Sequence, residues 1–164
     1  MFSLISSKQV FRTFFRRLLE RAKIGIIKMN QVLTGDFLKY IAVIIADSKN
    51  RLYMAIGSGD SSWDSNGLPE ITSSVSGLIH EEARLPIANV EFIGIDGLPS
   101  EEPTTKVNII SERFSGEEYA GPVRECGLYF GNDENAPLIL YSVFPRINIT
   151  PQVALTKSLL IDLI

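Results

Sequence analysis

Glu81 and Glu82 are adjacent carboxylates in the run Ser76-Gly-Leu-Ile-His-Glu-Glu-Ala-Arg-Leu85. Paired carboxylates can hold a divalent cation such as Mg²⁺ or Mn²⁺ through hard oxygen ligands, and a cation so held can activate water and neutralise phosphate charge. The segment that carries them, Leu68 to Leu85, is predicted to be a helix. Pro69 suits a first turn, where its missing N–H costs nothing. Ile71, Val75, Leu78 and Ile79 recur at helical spacing, and Pro86 ends the segment. On such a helix Glu82 falls inside the apolar stripe, Glu81 at its border, and His80 on the solvent side. An ionised carboxylate in an apolar stripe needs a cationic partner or a metal. The plain alternative is a helix that frays before Pro86, so that Glu82 reaches water or an arginine.

Other groups offer less chemistry. Glu70 stands near the start of the same segment, and Glu117 and Glu118 lie in a polar stretch, residues 115–125, that reads as a solvated loop. Each is a candidate extra carboxylate for a cation. Cys126 is the one cysteine, so no internal disulfide can form, and it reads as a small buried apolar residue. With His80 as the one histidine, a zinc site is not expected, since it usually needs several Cys or His ligands. The run Gly57-Ser-Gly-Asp-Ser-Ser-Trp63 has glycines but no lysine, and no helix opens directly from it, so it is not a phosphate loop.

The elements that would position these residues follow from the apolar pattern. Tyr40 to Ala46 is a nearly continuous, β-branched run and is predicted to be a buried strand. Asp47 to Asn50 reads as a turn and Arg51 to Ile56 as the returning strand of a hairpin. Gly57 to Gly67 must be a loop. After the predicted helix come strands at Val90–Ile95, Lys106–Phe114, Gly127–Phe130 and Leu138–Val143. Thr150-Pro151 is predicted to open a last helix running to Ile164, with Thr as N-cap and Pro at the first helical position. That order suits a mixed sheet with helices on both faces.

The Trp-containing Gly-rich loop, the following Leu68-Pro69, "LIHEEARLP" and "VEFIGIDG" resemble a Nudix hydrolase. The family's box ends in Arg-Glu, an aliphatic residue, any residue, Glu-Glu, any residue, Gly and an aliphatic residue. With the Glu-Glu pair on Glu81 and Glu82, Ile79 and Leu85 take the two aliphatic positions. Gly77 then stands at the box Arg, Leu78 at the first metal-binding Glu and Arg84 at the Gly, so the box is degenerate. The resemblance implies an α+β domain, an α/β/α sandwich around a mixed sheet. It also implies Mg²⁺ or Mn²⁺ at Glu81 and Glu82, assisted by Glu70, Glu117 or Glu118, and hydrolysis of a nucleoside-diphosphate-type compound. The alternative is the same domain without catalysis, binding a small phosphorylated ligand or a protein partner.

The chain's 164 residues fit one domain, expected over 33–164 behind a separate segment, 1–32. Residues 6–28 are predicted to be an amphipathic helix, with Val10, Phe11, Phe14, Phe15, Leu18 and Leu19 at helical spacing. Residues 1–28 hold seven basic residues, Lys8, Arg12, Arg16, Arg17, Arg21, Lys23 and Lys28, against Glu20 alone. Their balance of +6 leaves −9 on the remainder of a chain whose net charge is −3. An acidic body argues against nucleic acid as a partner. The basic head suits self-association, a partner or an anionic membrane surface. No apolar run is long enough to span a bilayer. The expected compartment is cytoplasmic, or mitochondrial if the head is a targeting segment.

Overall fold

The structure, a computed structural model, describes residues 34–163. The predicted helix at residues 6–28 lies outside the described residues. The chain enters through helix α1 (Gly35–Asp47), and a 3₁₀ turn at Lys49–Arg51 leads into β1 (Leu52–Gly57). A short helix α2 (Trp63–Asn66) interrupts the long connection to β2 (Glu81–Ile93). Then follow β3 (Pro99–Ser100), β4 (Lys106–Ser111), β5 (Gly121–Phe130), β6 (Leu138–Ile149) and β7 (Ser158–Asp162).

Every strand pairing is antiparallel, and the order is β6-β5-β1-β2-β4-β7, with β3 against the end of β2. The sheet curls into a half-barrel, which overturns the expected mixed sheet and α/β/α sandwich. The curl is traceable to β2. Its first half pairs with β1, from Ala83 opposite Ile56 to Pro86 opposite Tyr53. Its second half pairs with β4, with a bulge between Ile87 and Asn89. Pro86, expected to end a helix, sits at this changeover. It has no N–H to give a ladder, while its carbonyl accepts from Glu112 N at 3.0 Å. Bulges bend a strand and increase its twist, which is what a curling sheet needs.

Inside the curl lies one apolar cluster. It joins Ala42 of α1 to Met54 and Ile56 of β1, Ile87 of β2, Val107 and Ile109 of β4, Leu128 of β5, Ile149 of β6 and Leu159 of β7. Phe114, just beyond β4, is fully buried in it. Apart from Ala42, each such side chain contributes on the order of 1.5–3 kcal/mol by leaving water.

Three predicted elements are corrected. Tyr40–Ala46 is helix, not strand. Thr34 caps α1 by accepting from Phe37 N at 3.3 Å, and Asp36 stands in the first turn, where acidic charge favours the helix dipole. Ile41 and Ala42 are buried, Ile45 packs on the core, and Tyr40 is 61 % exposed. Leu68–Leu85 is not a helix but loop followed by the start of β2. Ile71 and Ile79, expected on an inward stripe, are exposed. The last segment is not a helix either: Val153 N donates to Thr150 O in a turn, and Ser158–Asp162 pairs with β4. In each case the partner strand or helix capping outweighs the local pattern. Among the described residues, no helix is long and apolar enough to cross a membrane.

Candidate functional site

The side chains that organise the polar face of the sheet come from the middle of β5, at Arg124 and Glu125. Both are buried. β5 is the neighbour of β1 and β6, so any side chain at its centre is shielded unless it reaches past a strand end. Glu125 sits opposite Gly57, the last residue of β1. A Cβ at Gly57 would lie 2.6 Å from Glu125 Oε1 and 2.6 Å from His80 O, so glycine leaves the room the carboxylate occupies.

The Glu125 carboxylate is closed by three donors. Oε1 accepts from His80 N at 3.0 Å, and Oε2 accepts from Ile79 N at 3.1 Å and from the Tyr141 hydroxyl at 2.6 Å. One residue earlier, Leu78 N donates to the Tyr129 hydroxyl at 3.2 Å. Ser58 N donates to His80 O at 3.0 Å and closes the two ends of the connection on each other. The 58–80 connection is thus strapped to the sheet by three successive backbone amides, which is why these residues are not helical. Their N–H groups are committed to Tyr129 and Glu125, both side chains of β5. Burial, then the bond to Glu125, pushes the Tyr141 phenol above its ordinary pKa. Burial does the same to Tyr129.

Arg124 holds the other end of the strap. Its Nε and Nη2 donate to Asp64 Oδ1 and Oδ2 at 2.9 and 2.6 Å, and its Nη1 donates to Ser58 O at 2.8 Å. The guanidinium holds the Asp64 carboxyl below the usual range, and the same bond raises the arginine. Asp60 is also held low, chiefly because it accepts from Ser62 N in the turn that opens α2.

Opposite Arg124, β6 bulges. Val123 pairs with Ile147 and Glu125 with Val143, so Phe144, Pro145 and Arg146 loop out between them. With Trp63, Asp64, Gly67, Leu68 and Arg124 they line an open cleft of about 400 Å³. Trp63 packs against Gly59, whose φ of +59° is the left-handed conformation that suits glycine. At Gly59 a Cβ would come within 2.6 Å of the indole.

The carboxylates singled out in the sequence lie elsewhere. Glu81 opens β2, and both its oxygens accept from Arg84, Nε at 2.8 Å and Nη2 at 2.7 Å. That bond raises the arginine, whose guanidinium also stacks 3.7 Å from the Tyr129 ring centroid. Glu82 is the extra residue of a bulge, because Ile56 pairs with Ala83 and Gly57 with Glu81. Glu82 is exposed, as are Glu70 in the strap and Glu117 and Glu118 in the turn after Phe114. Among the described residues, no three His, Cys, Asp or Glu side chains converge as a metal site. The residues present do not fit a Mg²⁺ or Mn²⁺ pair. Arg84 already neutralises Glu81, and Glu82 remains a single carboxylate.

Arg124, Glu125, Tyr129 and Tyr141 escaped the sequence reading. One signal was available: a charged dipeptide flanked by Val123 and by Cys126-Gly-Leu-Tyr-Phe130, an interruption inside an otherwise apolar run. No protein-family model matches the chain, and no curated protein sequence matches it.

Proposed function

We propose that this chain acts by binding and not by hydrolysis, and that residues 1–28 supply the contact to its partner. The observation that carries the reading is the arginine fork on Glu81. The carboxylate best placed for a cation has both oxygens bound by Arg84 at 2.7 and 2.8 Å. A metal would have to displace a bidentate, charge-assisted pair. The buried carboxylate, Glu125, is likewise spent on Ile79, His80 and Tyr141. The charges support the second half of the proposal. A balance of +6 over residues 1–28 against −9 over the rest favours an anionic partner surface at the head and repels one elsewhere.

The test compares the full chain with a variant carrying Arg12→Glu, Arg16→Glu and Arg17→Glu. Cosedimentation with phosphatidylserine vesicles and retention by polyglutamate are measured at low and high salt. The full chain is expected to bind one or both, with binding weakened by salt, and the variant to bind neither. Identical behaviour of the two proteins sinks the partner contact. Metal-dependent phosphate release from a nucleoside diphosphate, abolished by Glu82→Gln, would restore a hydrolase.

A further inference from the structure

The cleft between α2 and the β6 bulge has a composition that the strap alone does not require. Its walls are apolar and aromatic, from Trp63, Leu68, Phe144 and Pro145. Its polar groups are two arginines and one aspartate. The aspartate is consumed: Asp64 is gripped bidentately by Arg124, whose side chain is 5 % exposed. Arg146 touches the same Asp64 through Nη1 alone, at 3.0 Å, with its side chain 49 % exposed. Among the described residues, Nε and Nη2 of Arg146 have no partner. Those two N–H groups form the side edge of the guanidinium, the same edge with which Arg124 grips Asp64. It matches a carboxylate or phosphate in two parallel hydrogen bonds.

The local charge points the same way. The lining holds Arg124 and Arg146 against Asp64. Those residues sum to one positive charge, in a body that carries −9 outside residues 1–28. A cationic spot on an acidic domain, walled by aromatic rings and of a volume usual for small-molecule sites, selects for an organic anion. The 400 Å³ of space would take a ring and its substituent.

We propose that the cleft formed by Trp63, Leu68, Phe144, Pro145 and Arg146 binds a small organic anion, a flat aromatic ring bearing one carboxylate or phosphate. The ring lies against the Trp63 and Phe144 walls, and the anion takes the free edge of Arg146. Every residue that lines this site falls within 63–146.

Trp63 is the one tryptophan of the chain, so its fluorescence reads this cleft without interference. The full chain is titrated with phenylacetate, phenyl phosphate and adenosine monophosphate, each a ring with an anion. Acetate and inorganic phosphate supply the anion alone, and benzyl alcohol supplies the ring alone. A saturable change is expected with at least one ring-bearing anion. That compound should bind tighter than either half by about tenfold or more, a step of about 1.4 kcal/mol. The responding compound tells carboxylate from phosphate. Arg146→Gln should weaken it by a similar factor and keep the thermal midpoint, since this side chain is half in solvent. No saturable change with any ring-bearing anion overturns the proposal. So does equal affinity for benzyl alcohol, or an Arg146→Gln protein that binds as tightly as the parent.

Discussion

The hydroxyl of Tyr141 donates to Oε2 of Glu125 at 2.6 Å, and this bond joins β6 to the carboxylate that straps residues 58–80 onto the sheet. Glu125 is fully buried, so each of its donors replaces a water that the carboxylate has lost. Removing one donor leaves an under-solvated charge. Replacing one carboxylate oxygen by an amide nitrogen leaves a backbone amide without an acceptor.

Tyr141→Phe is therefore expected to cost about 1–3 kcal/mol of stability, the usual penalty for a buried group left short of a partner. Glu125→Gln should cost more. Ile79 N and His80 N donate to different oxygens of the carboxylate. A glutamine amide offers one oxygen, so its NH₂ must face a backbone donor. Urea unfolding of the two variants checks the order. A Glu125→Gln protein as stable as Tyr141→Phe would show that the strap does not depend on the charge.

Gly59 is a second point of dependence. Its φ is +59°, and an added Cβ would meet the Trp63 ring at 2.6 Å. Gly59→Ala is expected to lose about 1–2 kcal/mol from the left-handed backbone alone. It should also shift the emission of Trp63, because the indole has to move. A stable variant with unaltered fluorescence would contradict the packing of α2 on the loop.

How much of this was legible in the sequence depends on where each element finds its partners. β1, β4 and β6 announced themselves through apolar strands bounded by turns. α1 did not. The run Tyr40–Ala46 is rich in β-branched residues, and its helical spacing shows only when Phe37, Leu38, Ile41, Ala42 and Ile45 are taken together from the Thr34 cap. In Leu68–Leu85, Ile71, Val75, Leu78 and Ile79 mimic a helical face. The decisive fact is that the amides of Leu78, Ile79 and His80 are claimed by Tyr129 and Glu125, some 45 to 51 positions away. No local pattern encodes that. The candidate cleft was hidden for the same reason. Residues 121–125 looked like polar loop because Arg124 and Glu125 are charged, yet they lie in a central strand, made tolerable there by Asp64, Tyr141 and backbone groups.

Cys126, beside Glu125, is fully buried, and burial pushes its thiol up to about 11. A thiol reagent needs both access and thiolate. At neutral pH the native protein is expected to react far more slowly than a denatured control, at a rate that rises with urea as the core opens. Fast stoichiometric labelling without denaturant would mean that β5 is not enclosed as described.

Acid should test the other end of the strap. The Arg124 hydrogen bonds hold the Asp64 carboxyl below its usual value of 3.8. A carboxyl with a depressed folded-state pKa binds a proton more readily when the chain is unfolded. Its contribution to stability is therefore complete above the unfolded value and fades as the pH falls through the lower folded value. Asp64→Asn removes that linkage. The variant is expected to be less stable than the parent at neutral pH, because Arg124 keeps its burial and loses its ionic partner. As the pH falls below 3.8 and through the lower folded value the gap should narrow, since the parent's Asp64 then takes up a proton as well. Thermal midpoints of both proteins across this range give the comparison. Parallel curves, with a constant gap from neutral pH into acid, would show that the Asp64 charge contributes nothing to holding Arg124, and that the walls of the cleft are fixed by packing alone.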